Sequence, residues 1–95
     1  MIKESTINRL TNFVINRKWE KYHTPENLAK AISIEANELL KCYQWGDDWE
    51  YKTNVKEEIA DILIYCVYYC KRMEFDIDKI INEKIDKNKE KYPCK

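Results

Sequence analysis

Hydrophobic residues recur along this chain at three- and four-residue steps, the spacing that places them on one face of an α-helix. The clearest first example is Ile7, Leu10, Phe13 and Val14, which form one apolar stripe between polar neighbours. The pattern predicts a first helix over about residues 5–17.

A second helix is predicted from a start signal at Thr24 and Pro25. Threonine is a favoured N-cap, and proline suits the first helical position because its missing N–H needs no partner there. Apolar residues continue at helical spacing from Leu28 through Leu40 to Tyr43, and the helix should end near Trp45 and Gly46, where glycine is the expected terminator.

Two more helices are predicted after a short polar link. The third covers about residues 53–72 and is apolar nearly all round from Ile59 to Cys70, so it should be central or lie in a subunit interface. The fourth starts at Asp76 and fades before Pro93. Four helices with short links predict an all-α, four-helix antiparallel bundle that completes its burial as a homodimer.

The composition supports a single helical domain over residues 1–95, since one glycine and two prolines leave little room for hairpins. With 17 basic and 17 acidic residues, no net field recruits nucleic acid or a membrane surface. No apolar run is long enough for a membrane span and the N-terminus is polar, so a cytoplasmic location is expected. The four cysteines lack the C-x-x-C spacing of zinc sites.

Two matched pairs of acids, Glu35-x-x-Glu38 and Glu58-x-x-Asp61, carry the strongest chemical signal. Residues three apart on a helix lie about 60° apart, so each pair points its carboxylates in one direction. An isolated pair is more often a solvated face. Here the second pair is embedded in the apolar run Ile59–Val67, and acids carried into a core need a cation.

The same faces continue with groups that suit a nucleotide. Trp45 follows Glu38 by seven residues and Tyr65 follows Asp61 by four. The fourth helix repeats polar residues at Lys84, Asn88 and Lys91. If these helices pack together, one cleft combines acids, aromatic rings and lysines. A carboxylate cluster without histidine predicts Mg²⁺, with Mn²⁺ as the alternative. A di-iron site is disfavoured, because the Glu-x-x-His pairs that it would need do not occur. No glycine-rich phosphate loop is present.

The acid pattern resembles the signature of the MazG-like all-α nucleotide pyrophosphohydrolases. The segments Arg17–Leu28 and Lys84–Pro93 resemble the dCTP pyrophosphatase branch of that family, so the likeness covers nearly the whole chain. The resemblance implies a dimer or dimer of dimers that hydrolyses a (deoxy)nucleoside triphosphate, dCTP or a related nucleotide, to monophosphate and pyrophosphate.

The resemblance also assigns roles to residues. The four acids would hold Mg²⁺ and be catalytic; the expected substrate-binding residues are Trp19, His23, Trp45, Tyr65, Lys84, Asn88 and Lys91. Two departures concern Asn37, where relatives often have glycine, and Leu10, where animal relatives carry a histidine near the base. The alternatives are a nucleotide-sensing module without efficient turnover, or a purely structural bundle with solvated acids.

Overall fold

A computed structural model describes residues 2–44 and 52–94 of the chain. These residues form four α-helices and one short 3-10 helix: α1 (Glu4–Asn16), the 3-10 turn (Glu20–Tyr22), α2 (Pro25–Lys41), α3 (Lys52–Arg72) and α4 (Ile77–Lys91). The predicted all-α fold with four helices is therefore confirmed. The 3-10 turn was not anticipated.

The predicted starts of α2 and α4 are confirmed by their caps, whereas α1 begins at Glu4, after Lys3, which makes no side-chain cap. The Thr24 Oγ1 atom accepts a hydrogen bond from the backbone N–H of Asn27 at 3.1 Å, with Pro25 at the first helical position. The Asp76 Oδ1 atom accepts one from the backbone N–H of Lys79, also at 3.1 Å. Each cap satisfies a backbone donor that the first turn leaves without a helical partner.

The helix ends are less regular than the starts. α2 ends at Lys41, so the predicted continuation of the helix through Tyr43 is wrong. The next residues form a tighter turn, in which the Gln44 N–H donates to the carbonyl of Lys41, three residues earlier. The expected terminator Gly46 and the predicted site residue Trp45 lie outside the described residues.

Two helices end in a left-handed residue that is not glycine. Lys18 has φ 57° after α1 and Glu74 has φ 58° after α3. In each case the next N–H bonds back into the last helical turn, from Trp19 to the Val14 carbonyl and from Phe75 to the Cys70 carbonyl. These bonds define two Schellman turns, which usually contain glycine because a Cβ atom is crowded at positive φ.

The core of one chain is thin. Its buried hydrophobic residues in the described part are Val14 of α1, Leu28 of α2 and Val67 of α3, and the closest helix packing is that of α2 on α3. The radius of gyration is 16.0 Å, whereas a compact domain of this length would have about 12 Å. Within the described ranges, no helix is long and apolar enough to cross a bilayer.

Candidate metal and nucleotide site

Three of the four predicted acids converge where α2 packs on α3. Glu35 of α2 and Glu58 and Asp61 of α3 each present a carboxylate oxygen, and these oxygens lie within 4.8 Å of one another. The three-residue spacing on α3 sets its two acids on one face, and the packing of the helices brings Glu35 opposite them. Convergence of these side chains follows from local spacing plus one helix contact.

The electrostatics of this cluster favour a cation. The Oε2 atom of Glu58 is buried and accepts no hydrogen bond from any described residue. The pKa of Glu35 is raised, first by a hydrogen bond shared with the Glu58 carboxyl group, then by burial and by the negative charges of Asp61, Glu58 and Glu38. This crowding of negative charge opposes full ionisation of the metal-free cluster, and a divalent cation would relieve it.

Glu38 stands apart from the other three acids. Its Oε1 atom lies 3.4 Å from the Lys41 Nζ atom, in a partly exposed ion pair on the same helix. It still contributes negative charge at Glu35. The structure therefore places Glu38 at the edge of the cluster, and its role as a fourth metal ligand stays a prediction.

An aromatic cleft lies beside the acids along α3. Tyr65 follows Asp61 by one helical turn, a rise of about 6 Å. The cleft has a volume of about 260 Å³, and its lining residues are Trp19, Tyr22, His23, Asn27, Leu28, Ala31 and Tyr65. Of the predicted nucleoside-binding residues, Trp19, His23 and Tyr65 are thus brought together.

Local structure between α1 and α2 positions the walls of this cleft. The Schellman turn after α1 fixes the backbone of Trp19, and its ring meets Phe13 edge-on at 5.6 Å. The Arg17 guanidinium lies 3.5 Å from the centre of the Phe13 ring, close enough for a cation–π contact. The 3-10 turn then carries the chain to His23, which also lines the cleft.

Tyr68 supports the cleft from behind. Its ring centre lies 4.8 Å from that of His23 and 6.4 Å from that of Tyr65, and its hydroxyl donates to the Leu10 carbonyl at 3.2 Å. Burial lowers the pKa of His23, so its imidazole is neutral at neutral pH. Sequence reasoning missed Tyr68, although its position three residues beyond Tyr65 places it next to the same face of α3.

The predicted polar residues of α4 are not joined to the acids within the described chain. Lys84 and Lys91 are exposed, and no hydrogen bond or ion pair between described residues links either of them to Glu35, Glu58 or Asp61. Asn88 is half-buried, and its backbone carbonyl accepts from the Tyr92 N–H at 2.7 Å. The assigned roles of these three residues stay predictions.

Comparison with known proteins adds three findings. Residues 30–95 match the MazG-like family. Similar curated proteins are dCTP pyrophosphatase 1 of Rattus norvegicus, 35% identical over 90 residues, and of Homo sapiens, 34% identical over 91 residues. The alignments cover 85% and 86% of this chain but 53% and 54% of those proteins, so the chain spans about half their length. The crystal structure of a pyrophosphatase from Archaeoglobus fulgidus DSM 4304 is 39% identical, with a TM-score of 0.84, and the match covers 96% of this chain and 92% of that one.

Proposed function

The chain belongs to the MazG-like family, and from this premise we propose that it is a Mg²⁺-dependent nucleoside triphosphate pyrophosphohydrolase. Its substrate is a (deoxy)nucleoside triphosphate, dCTP or a close relative, and its products are the monophosphate and pyrophosphate. The names of the similar proteins, dCTP pyrophosphatase 1 and a pyrophosphatase, support this proposal.

The observation that carries the proposal is the three-acid cluster with its orphaned oxygen. A buried carboxylate oxygen without a hydrogen bond is costly, and here it lies among other acids, with no ion pair to a lysine or arginine in the part of the chain that the structure describes. Oxygen ligands alone suit Mg²⁺ or Mn²⁺. Glu35, Glu58 and Asp61 would hold the ion, and Glu38 lies close enough to add its charge.

The metal ion, the aromatic residues and the acids would each have a separate role in the reaction. A bound Mg²⁺ supplies neutralisation of phosphate oxygens and a more acidic water. The aromatic walls at Trp19, His23 and Tyr65 hold the nucleoside and exclude water, so that the phosphates extend along α3 toward Asp61. One of the four acids at the cluster would also accept a proton from the attacking water.

We further propose that the working form is a homodimer or a dimer of homodimers. The thin core leaves large apolar side chains exposed on the surfaces of α3 and α4: Ile59, Leu63, Ile80, Ile81 and Ile85. Burying these residues against a second copy would remove them from water and bring α4, with Lys84, Asn88 and Lys91, toward the acids of a neighbouring subunit.

A nucleotide panel tests the proposed reaction. Purified protein is incubated with each common ribo- and deoxynucleoside triphosphate and Mg²⁺, and the products are separated. The proposal predicts monophosphate and pyrophosphate in equal amounts, with Glu58→Gln inactive. Release of orthophosphate and the nucleoside diphosphate would contradict it. Tight binding without any product would favour the nucleotide-sensing alternative.

A further inference from the structure

The aromatic walls of the cleft do not by themselves distinguish one base from another. Every base has a π-face, so stacking on Trp19 or Tyr65 depends little on which base is bound. The tyrosine hydroxyls rotate and the neutral imidazole of His23 exists in two tautomers, so these groups adapt to either a donor or an acceptor. Discrimination requires a polar group whose orientation is fixed.

Asn27 is such a group. It lines the cleft from the first turn of α2, where its backbone N–H donates to the Thr24 Oγ1 atom at 3.1 Å. Its Nδ2 atom donates to the Tyr22 carbonyl at 3.0 Å. A carbonyl only accepts, so this bond fixes which end of the amide faces the 3-10 turn.

The other end of the amide is uncommitted. No described residue donates a hydrogen bond to the Asn27 Oδ1 atom. The side chain therefore offers a fixed acceptor at the wall of a cleft whose other polar side chains are adaptable or, like the Trp19 indole, donors only.

We propose that the Asn27 Oδ1 atom accepts a hydrogen bond from an exocyclic amino group of the base and makes the cleft selective for amino-bearing bases such as cytosine. A uracil or thymine placed in the same way would turn a keto oxygen toward Oδ1, leaving two acceptors face to face. This inference rests on the proposed function, since it assumes that the cleft holds the nucleoside.

The competing role for Asn27 is structural, because its amide also ties the 3-10 turn to α2. Two substitutions separate the roles. Asn27→Ala and Asn27→Asp both remove the bond to the Tyr22 carbonyl, but only aspartate keeps an acceptor. An acid in the first turn of a helix is also favourable, so Asn27→Asp is expected to fold.

The experiment measures kcat/KM with Mg²⁺ for dCTP and for the matching triphosphate of 2-pyrimidinone, which lacks the amino group. We expect wild type to prefer dCTP, Asn27→Ala to lower that preference about tenfold, and Asn27→Asp to retain it. An equal loss for both nucleotides in both variants, with the wild-type preference unchanged, would overturn the inference.

A control and a second readout keep the test decisive. Thr24→Ala removes the bond to the Asn27 backbone N–H but keeps the bond of its side-chain amide to the Tyr22 carbonyl, so it should lower thermal stability and leave the preference unchanged. The ratio of affinities, from quenching of tryptophan fluorescence, measures the same preference without turnover. No pyrophosphate from any nucleotide refutes the proposed function, whereas turnover with an unchanged preference in Asn27→Ala refutes only the role of Asn27.

Discussion

The α2–α3 pair contains buried core residues, whereas α4 contains none. In α2 and α3, Leu28 is 1% exposed and Val67 is 3% exposed, and the two helices bring acids together inside a single chain. In α4, Ile80, Ile81 and Ile85 are 36–45% exposed, although they recur at helical spacing. α4 also has an apolar stripe, but none of its residues is buried by the rest of the chain.

This contrast indicates that the site has two parts with different structural requirements. The metal-binding part depends on contacts within one chain and should exist in an isolated subunit. The contribution of α4 depends on burial that one chain does not provide. Variants in the two regions should therefore separate metal binding from turnover.

The largest effect is expected from Glu58→Gln. Removing a metal-ligating carboxylate should lower kcat/KM by at least about 100-fold. Glutamine also relieves the crowding of negative charge around the buried Oε2 atom, so the metal-free variant should melt at a higher temperature than wild type. Mg²⁺ should raise the melting temperature of wild type and not of the variant.

The matched control for this variant is Glu26→Gln, an exposed acid of α2 paired with Lys30 at 3.0 Å. It should leave both activity and the response to Mg²⁺ unchanged, because exposed ion pairs contribute little. A Glu58→Gln enzyme that retains full turnover would contradict the assignment of the acids.

A smaller effect is expected from Ile81→Glu on α4. Placing a charge on the exposed apolar stripe should shift the molecular mass in light scattering from dimer toward monomer and lower kcat/KM about tenfold. Stabilisation by Mg²⁺ should persist, since the acids belong to α2 and α3. Lys87→Glu, on the same helix, should change neither quantity. Loss of Mg²⁺ binding in Ile81→Glu would contradict the claim that metal binding depends on α2 and α3 and not on α4.

The single histidine gives a more local measurement. Burial lowers the pKa of His23 below its ordinary 6.5, because the charged form is less well solvated. The stability that its neutral form provides is present above pH 6.5 and is lost as the pH falls through the lowered pKa. In an NMR titration, Tyr68→Ala should return this pKa toward 6.5 by opening the ring contact, whereas Tyr92→Ala on α4 should leave it unchanged.

The smallest effects concern the two left-handed residues. Lys18→Gly and Glu74→Gly should each raise the free energy of unfolding by about 1 kcal/mol, since glycine relieves the crowding at positive φ. Denaturant unfolding measures both. Lys18 precedes Trp19 of the cleft, whereas Glu74 joins α3 to α4, so only Lys18→Gly should also change the KM for nucleotide. Destabilisation by either substitution would contradict the account of these turns.

Features governed by local spacing were predicted well from the sequence. The cap at Thr24 and the helix start at Asp76 were predicted, and both are confirmed by a bond from the side chain to an N–H three residues later. The convergence of Glu58 with Asp61 is also local. The position of Glu35 required α2 to pack on α3, which the apolar stripes indicated without fixing the register.

Features that depend on unusual backbone or distant contacts were not predicted. The Schellman turns were missed because lysine and glutamate stand where glycine is the usual signal. No role in the cleft was predicted for Asn27, since its contact with the Tyr22 carbonyl requires the 3-10 turn. The separate position of Glu38 follows from its ion pair with Lys41, which competes with the acid cluster for its side chain.

Metal binding tests the central claim most directly. Mn²⁺ is titrated into wild type, Glu58→Gln and Glu26→Gln. The concentration of free Mn²⁺ is measured by electron paramagnetic resonance. The account predicts saturable binding by wild type and Glu26→Gln and loss of that binding in Glu58→Gln. Equal binding by all three proteins would show that the converging acids of α2 and α3 are not the metal site.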